Sequence, residues 1–582
     1  MENGEIVRLL CETADLLEIA GEDPFRVRSY RNAAQSLETF PEKIDEIVRN
    51  PDRKAGDKQL LAISGIGKGM VANLREICAT GDLDVHQQLL QKFPPGALEM
   101  LRIQGLGPKG IALIWSAYRA ANLDELEQLC REGKLRLLPR MGEKLEQKIL
   151  KSIEAYRRSA GRFLISAAQR ASEEIVEYLR QGPDADQLRV TCAGSLRRGK
   201  ETIGDLDLLV TGGRADEQIE HLLKYPKVLE VIARGENKVS VRLPEAMQVD
   251  VRFLEPGSYG AAMQYFTGSK EHNVSLRGRA IRMGFKLSEY GLFRADDEHQ
   301  VAGGSEEEIY TTLGLDYIAP ELRENWGEIE AAAEHRLPRL VEPGEIQGDL
   351  HMHTSATDGR LSVREMAEAA RARGLRYIAI TDHSKALAMT NGLDERRLLE
   401  QIKEIRQVNS EMEGFRILAG IEVDIHRDGR LDLNDEALAQ LDIVVASVHS
   451  YMQIEPEEMT DRLLRAFENR YLNVLAHPTG RQLLSREPYR FDMERILGEA
   501  AKRGIHLEIN SSPERLDLNE QNARRAKEKG VKLVISTDAH HTRHLPNIKF
   551  GVKMARRAWL EAADVLNTLP ADQFLQALRR AG

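Results

Sequence analysis

From about residue 346 to the end of the chain, seven short apolar runs recur, near 350, 377–380, 420–423, 443–446, 474–476, 505–509 and 531–535. Between most of them the spacing turns helical, as in Ser362-Val-Arg-Glu-Met-Ala-Glu-Ala-Ala, with Ser362 placed to cap the start and Gly374 just past the end. Strands that alternate with helices predict a parallel sheet, because each crossover helix returns the chain to the same edge. Seven such units predict a barrel of seven βα repeats. An open doubly wound sheet is the alternative that periodicity leaves standing.

Ten of the fifteen histidines lie beyond residue 350, and most sit where these runs end. His351 and His353 follow Gly348-Asp349-Leu350, and His383 follows Thr381-Asp382. Glu422 lies in Gly420-Ile-Glu-Val, His449 and His477 each close a run, and Asp538 and His540 close the last. The C-terminal ends of strands are where βα-barrels build active sites. Residues two apart in extended backbone share a face, so His351 projects with His353, and Asp538 with His540. A single histidine is more often an ordinary surface or core residue, which is the reading for His426, His506, His541 and His544. Imidazoles and carboxylates without thiolate suit Zn2+, Mn2+ or Fe2+, and so many ligands exceed what one ion needs. A multinuclear cluster of this kind hydrolyses phosphoesters.

The segments Asp349-Leu-His351-Met-His353, Thr381-Asp-His383-Ser, Glu422, His449, Ala476-His477-Pro478 and Ser536-Thr-Asp538-Ala-His540 resemble the polymerase and histidinol phosphatase (PHP) domain over about residues 346–582. The resemblance implies a distorted (βα)7 barrel holding a cluster of up to three Mn2+, Zn2+ or Fe2+ ions. The nine ligands it implies are His351, His353, Asp358, His383, Glu422, His449, His477, Asp538 and His540. No ligand position is missing, which implies a working site, expected to be a Mn2+-dependent 3′–5′ exonuclease.

Upstream, Gly194-Ser195-Leu196-Arg197-Arg198 leads through Gly204 into Asp205-Leu206-Asp207-Leu208-Leu209-Val210. Asp205 and Asp207 alternate with leucines on entering a strand, so both carboxylates share one face. Met247-Gln248-Val249-Asp250-Val251 sets a third carboxylate opposite an apolar face. Three carboxylates without histidine suit Mg2+, a hard ion that accepts phosphate oxygens. An Asp-x-Asp pair alone is usually a solvated turn. Behind Gly-Ser and two arginines it gains backbone N–H groups and a hydroxyl for a triphosphate, with Arg198 as a charged fork.

With Tyr265-Phe266-Thr267-Gly268-Ser269 and Asn273 and Arg277 downstream, this stretch resembles the α+β nucleotidyltransferase palm and thumb of the family X DNA polymerases, over about residues 1–320. The resemblance implies two Mg2+ ions, replaceable by Mn2+, on Asp205 and Asp207, with Asp250 on the catalytic ion and beside the primer 3′-hydroxyl. It further implies Ser195, Arg198 and Gly204 at the incoming triphosphate, with Gly268 in the same nucleotide site. Tyr265 and Phe266 are expected against the sugar, Asn273 at the minor-groove edge and Arg277 at the template strand. Alone, Tyr265-Phe266 would read as core packing.

The first 155 or so residues read as helices and short turns, with Val7, Leu10, Ala14 and Leu17 at helical spacing and a like period through Ile44, Ile47 and Val48. Gly65-Ile66-Gly67-Lys68 and Gly105-Leu106-Gly107-Pro108-Lys109 share one pattern, a glycine–apolar–glycine turn between helices. The glycines leave amides at the second helix's start open to a phosphate. The two copies resemble helix-hairpin-helix motifs, which hold the DNA backbone without reading sequence. They imply contacts at Gly65, Gly67, Lys68, Gly105, Gly107 and Lys109, and a monovalent cation at the turns. Leu138-Pro-Arg-Met-Gly142 is a weaker third copy. In animal repair members of family X, the first such domain also carries a Schiff-base lysine for deoxyribose phosphate removal. Asn73 stands at the aligned position here, which implies 5′-phosphate binding without that route.

Net charge is a poor guide to this chain. Lys and Arg total 82 against 92 Asp and Glu, a balance of −10 that reads as unfavourable for a polyanionic partner. Yet residues 51–160 hold 18 basic and 13 acidic side chains, and residues 261–294 hold 6 and 2. Four scattered cysteines offer neither a disulfide framework nor a thiolate zinc site. No 18-residue apolar run or signal-like start occurs, which predicts a cytoplasmic protein away from membranes.

The expected organisation is a helical DNA-binding domain (1–90), a fingers-like helical domain (91–157), a palm (158–257), a thumb (258–325), a linker (326–345) and a PHP domain (346–582). The expected activity is short-gap filling in DNA base excision repair, on gapped or primed double-stranded DNA with dNTPs, by a monomer. Two other readings compete: a small-molecule phosphatase with a DNA-tethering front half, and a non-catalytic DNA-end-binding scaffold.

Overall fold

Apolar spacing of the helical period becomes helix throughout the first 160 residues. Leu10, Ala14 and Leu17 of helix Asn3–Ile19 are buried with Ala33, Ala34 and Leu37 of helix Pro24–Glu38, and Ile44, Ile47 and Val48 enter the same core. This computed structural model describes residues 1–578 apart from 2, 39, 41, 64, 95, 102, 104 and 160, and divides into two units, Met1–Ala160 and Gly161–Gly582. Among the described residues no helix is long and apolar enough to cross a membrane.

The second unit begins with a five-stranded sheet in the order Arg189–Cys192, Asp205–Thr211, Gln248–Leu254, Lys238–Arg242, Glu230–Arg234. Its one parallel pair, Asp205–Thr211 beside Gln248–Leu254, aligns Asp207 with Asp250. Leu206, Leu208 and Val210, with Val249 and Val251, are fully buried in a core shared with helix Ile165–Leu179. Strand alternation therefore turns all three aspartates to the opposite face.

Two helices follow, Tyr259–Thr267 and Lys270–Arg282, then a small antiparallel sheet of Phe285–Ser288, Gly291–Arg294 and Gln300–Ala302. The segment expected as a linker, 326–345, packs in part into the small domain before it. Its helix Glu328–Ala333 buries Ile329 and Ala332 in the same cluster as Leu276, Leu292 and Ile309, and Leu340 joins them. The buried Glu328 carboxylate accepts hydrogen bonds from the amides of Asn325 and Trp326 and faces His272 Nδ1 at 2.7 Å. These bonds fix the segment to the small domain before it.

Seven parallel strands then run in chain order: Gly348–Asp349, Tyr377–Ile380, Arg416–Asp424, Ile443–Ser447, Val474–Leu475, His506–Asn510 and Leu533–Ser536. Helix Val363–Ala372 starts on a Ser362–Glu365 capping box, and Gly374 follows its end with φ of +89°. The barrel is nearly closed. Its first and last strands meet through a single bridge, Met352 to Ala539, and otherwise through side chains. Asp349 accepts from the amide and hydroxyl of Thr537, and Asn567 donates to the carbonyls of Gly348 and Ile535. A seam joined by side chains puts His351, His353, Asp538 and His540 side by side where the strands end.

Candidate active sites

Asp205, Asp207 and Asp250 form one acidic edge on the palm sheet. Burial, with the carboxylates of Asp205 and Asp250 nearby, pushes the Asp207 carboxyl up to about 6. Burial acts the same way on Asp250, but Lys238, Ser240 and Gln248 hold it below the ordinary range. Lys238 Nζ lies 2.8 Å from Asp250 Oδ2, and Gln248 Nε2 donates to Oδ1 at 3.1 Å. The Asp205 and Asp250 carboxylates repel that of Asp207, and a hard divalent cation held among the three would relieve that repulsion. The fit is close on one side: a Cβ placed on Gly194 would lie 2.5 Å from Asp207 Oδ2.

A cleft of about 370 Å³ opens beside this edge, lined by Gly194, Ser195, Arg198, Asp205, Asp207, Tyr265, Phe266, Gly268, Asn273 and Arg277, and also by Lys270. Gly204 and Asp250 are absent from the lining. Arg198 lies along one wall, its Nε donating to Glu324 at 3.1 Å and its Nη1 to the Thr267 carbonyl. Tyr265 and Phe266 meet edge to face at 5.1 Å, and the guanidinium of Arg252 covers the Phe266 ring at 4.3 Å. Asn273 is held within its own helix pair, donating to the Tyr265 carbonyl and accepting from Gln264. Lys270 is a cation that the motif reading passed over, although it directly follows Gly268-Ser269.

At the barrel mouth all nine expected donors converge. Glu422 is the hub: Oε2 lies 3.4 Å from His351, 3.6 Å from His353 and 2.8 Å from His383, while Oε1 lies 3.5 Å from His449 and 2.9 Å from His477. Asp538 Oδ1 stands 3.6 Å from His351 and 3.2 Å from His353, and Asp358 Oδ2 stands 3.5 Å from His383 and 3.4 Å from His540. Burial opposes the charge on Glu422, but the imidazoles of His383, His449 and His351 hold its carboxyl well below the usual range. Three subsets each bring one atom per residue within 4.8 Å of the others: His353, Asp358, His383 and His540; His351, His353 and Asp538; His383, Glu422 and His449. Both ring nitrogens of His353 are buried and make no hydrogen bond. Orphaned imidazole nitrogens beside converging carboxylates fit a cluster of metal ions.

Several neighbours of these donors were missed in the sequence. Glu508 Oε1 faces His351 Nδ1 at 2.8 Å, and Asp424 faces His449 Nδ1 at 3.3 Å. Such carboxylates set the orientation of a ligating imidazole. A lone Glu inside the apolar run 505–509 was the available signal for the first. His544, set aside as ordinary, accepts from the backbone N–H of His540.

In the first unit the hairpin turns repeat one geometry three times. The apolar residue's N–H returns to a carbonyl three back, Ile66 to Ile63, Leu106 to Ile103 and Met141 to Leu138. The preceding residue has positive φ: Gly65 (79°), Gly105 (101°) and, in the third turn, Arg140 (64°). Gly67 and Gly107 cap helices Lys68–Thr80 and Pro108–Tyr118 in extended backbone, and a Cβ on either would meet nothing within 4 Å. Nothing in the protein itself forbids a side chain there. Asn73 donates to the Tyr30 hydroxyl at 2.9 Å.

Four stretches match known families: residues 1–83 a helix-hairpin-helix domain, 97–155 a SAM-like helix-hairpin-helix tandem, 262–324 the DNA polymerase beta thumb, and 349–512 the PHP domain. The DNA polymerase/3'-5' exonuclease PolX of Bacillus subtilis (strain 168) is 38% identical over 569 residues, 97% of each chain. A probable phosphatase of Acetivibrio thermocellus is 31% identical over 242 residues, covering 40% of this chain and 95% of that protein. Among solved structures, the polymerase beta of Leishmania infantum in a ternary complex is 22% identical, with a TM-score of 0.27, over 39% of this chain and 99% of that one.

Proposed function

The chain belongs to the family X DNA polymerases of the PolX type with a C-terminal PHP domain, and from that premise we propose an enzyme that both extends and trims DNA 3′ ends. It is a DNA-directed DNA polymerase that fills short gaps in repair, coupled to a 3′–5′ exonuclease in the PHP barrel. The observation that carries this reading is the presence of two donor sets in one chain, three carboxylates on one face of the palm sheet with Asp207 in register with Asp250, and nine donors at the barrel mouth.

In the palm, Asp205, Asp207 and Asp250 hold two Mg2+ ions, and Mn2+ can replace them. Bound there, the ions supply charge neutralisation for in-line displacement at the α-phosphate. Asp250 stands next to Asp207 to receive the 3′-hydroxyl proton. Ser195 and Arg198 bind the triphosphate, with Lys270 beside them and Gly194 closing the wall against Asp207, while Gly204, outside the cleft lining, leads into the strand that carries Asp205. Tyr265 and Phe266 pack on the sugar, Asn273 meets the minor-groove edge of the incoming base, and Arg277 reaches the template strand. The hairpin turns at Gly65–Gly67 and Gly105–Gly107, with Lys68 and Lys109, hold DNA backbone without base contacts.

At the barrel mouth the nine donors hold up to three Mn2+, Zn2+ or Fe2+ ions, which when bound supply the Lewis acidity and the nucleophile for phosphodiester cleavage. Glu422 and Asp538 bridge neighbouring imidazoles and fix their spacing. The substrates are gapped or primed duplex DNA and dNTPs, handled by a cytoplasmic monomer.

Separation of function tests the proposal. Asp250→Ala is expected to abolish primer extension and spare 3′ digestion, whereas His351→Ala with His353→Ala does the reverse. Retained extension by Asp250→Ala removes the palm assignment, and loss of both activities in the double mutant makes the barrel metals structural. The likeness of the barrel to probable phosphatases favours a second reading, a small-molecule phosphatase. Hydrolysis of a phosphomonoester much faster than of single-stranded DNA supports that one.

A further inference from the structure

We propose that Arg557, in the barrel, is a positioning residue for the polymerase's nucleotide cleft, acting on Arg198 through Glu324. Arg557 ends helix Ile548–Arg557 and is wholly buried, among the largest fully buried side chains of the chain. Its Nη1 donates to the Arg198 carbonyl at 2.8 Å and to Glu324 Oε1 at 2.9 Å, and its Nη2 donates to Glu520 Oε1 at 2.8 Å. The same Glu324 oxygen accepts from Arg198 Nε at 3.1 Å. One carboxylate oxygen thus joins two guanidinium groups, one from the barrel and one from the nucleotide cleft.

The contact extends along residues 198–201, which join the short helix Gly194–Arg197 to strand Thr202–Ile203, just ahead of the strand carrying Asp205. Lys200 Nζ lies 3.5 Å from Glu520, and Arg481 of the barrel lies 2.7 Å from Glu201. Arg481 is itself held by the carbonyls of Arg515 and Leu516. Gly199 has φ of +69°, and a Cβ there would stand 3.2 Å from Cβ of Lys553. The barrel therefore grips both the backbone and the side chains of this loop.

A planar guanidinium binds phosphate well only when its fork is aimed, and the Nε bond to Glu324 sets that aim for Arg198. A largely desolvated carboxylate such as that of Glu324 keeps its geometry only while its charge is matched. With Arg557 removed, Glu324 loses one of the two guanidinium groups on its Oε1 and the Arg198 carbonyl loses its donor, so Arg198 is held at the cleft wall only by the Thr267 carbonyl and a Glu324 that is itself no longer anchored. This deepens the nucleotide-site reading above and rests on it. Because triphosphate contact is made in both ground and transition states, its loss falls mainly on KM.

The test is gap-filling kinetics on full-length Arg557→Ala and Arg557→Lys, each also made in a Glu324→Gln background. We expect the dNTP KM to rise on the order of tenfold in Arg557→Ala, less in Arg557→Lys, with kcat changed by about twofold or less. Single-strand 3′ digestion is expected to persist and reports folding of the barrel. In the Glu324→Gln background the Arg557 substitutions should add less than they do alone, leaving only the share carried by the direct bond to the Arg198 carbonyl. If Arg557→Ala does not fold, Arg557→Lys and its cycle with Glu324→Gln decide. A parental KM in the folded Arg557 variants, or effects that simply add, overturns the relay. Arg198→Ala separates the two readings, since a parental KM there overturns the triphosphate assignment of Arg198 itself and the relay with it.

Discussion

Glu508 holds His351 from behind. Its Oε1 lies 2.8 Å from His351 Nδ1, while Nε2 of the same ring faces Glu422 and Asp538. Glu508 Oε2 accepts from the backbone N–H of His477 at 2.7 Å, so this one carboxylate orients two proposed ligands. Both members of the pair are about 1% exposed, which leaves no water to replace the bond. Glu508→Gln should weaken metal binding by roughly 10- to 100-fold, the usual effect of losing a carboxylate behind a ligating imidazole. Titrating Mn2+ back into chelated protein and following 3′ digestion measures it, with primer extension as the unaffected reference. An unchanged half-saturation point would show that Glu508 supports the fold and not the metals.

The paired glycines of the hairpin turns should respond differently to the same substitution. Gly67 and Gly107 have negative φ and open space around an added Cβ, so Gly67→Ala and Gly107→Ala should leave thermal stability near the parent. Their methyl groups should instead obstruct an approaching DNA backbone and weaken binding to every sequence alike. At Gly105 the φ is +101° and an added Cβ would stand 2.9 Å from Leu145 Cδ1. Gly105→Ala should therefore lose about 1–2 kcal/mol of stability. Melting curves beside fluorescence-anisotropy binding at two salt concentrations distinguish the two classes. Equal stability losses at all three positions would contradict the assignment.

Residues close in sequence were readable; residues that meet across the fold were not. Asp205 and Asp207 alternate with leucines, and His351 and His353 sit two apart, so local periodicity alone placed their side chains together. Glu508 pairs with His351 across 157 positions, and Arg557 with Glu324 across 233. No local pattern encodes either pair. Lys238 was invisible for the same reason, since only the antiparallel strand pairing sets it beside Asp250. Residues 326–345 read as a linker because they lack periodicity and end in Pro-Gly. Their burial depends on a shared core that only tertiary packing creates.

Acid should weaken the protein over a defined range through Glu306. That carboxylate is buried, lies 2.5 Å from both Arg323 Nη1 and Arg197 Nη2, and against the effect of burial those cations lower it from 4.5 to about 2. A depressed carboxyl stabilises the fold above its unfolded value and loses that contribution as pH falls through the folded one. The range is thus about pH 4.5 down to 2, and the amount about 3 kcal/mol. Glu520 is similarly lowered to about 2 and adds to the same range. Denaturant unfolding at pH 5, 4, 3 and 2 should show a steep fall for the parent and a shallower one for Glu306→Gln. Glu306→Gln should also start from a lower stability, because it strands the buried Arg323. Parallel curves would mean that Glu306 does not carry the acid sensitivity.

Gly194 offers the sharpest test of the palm geometry without touching an ionisable group. Its φ of +62° is one that a side chain resists, and an added Cβ would lie 2.5 Å from Asp207 Oδ2 and 3.4 Å from Cγ. The sheet fixes the Asp207 backbone on both sides, through Ala193 and the strand bearing Asp250, so the carboxylate must rotate. A displacement near 1 Å at a reacting centre costs on the order of 100-fold in rate. Gly194→Ala should lose about that much in gap-filling kcat/KM, with dNTP binding in the absence of turnover reduced far less. Digestion of single-stranded 3′ ends should continue at the parental rate, because the barrel donors lie on separate strands. Gap filling within about threefold of the parent would mean that Asp207 can yield to the methyl group and that the closeness of Gly194 is not needed for catalysis.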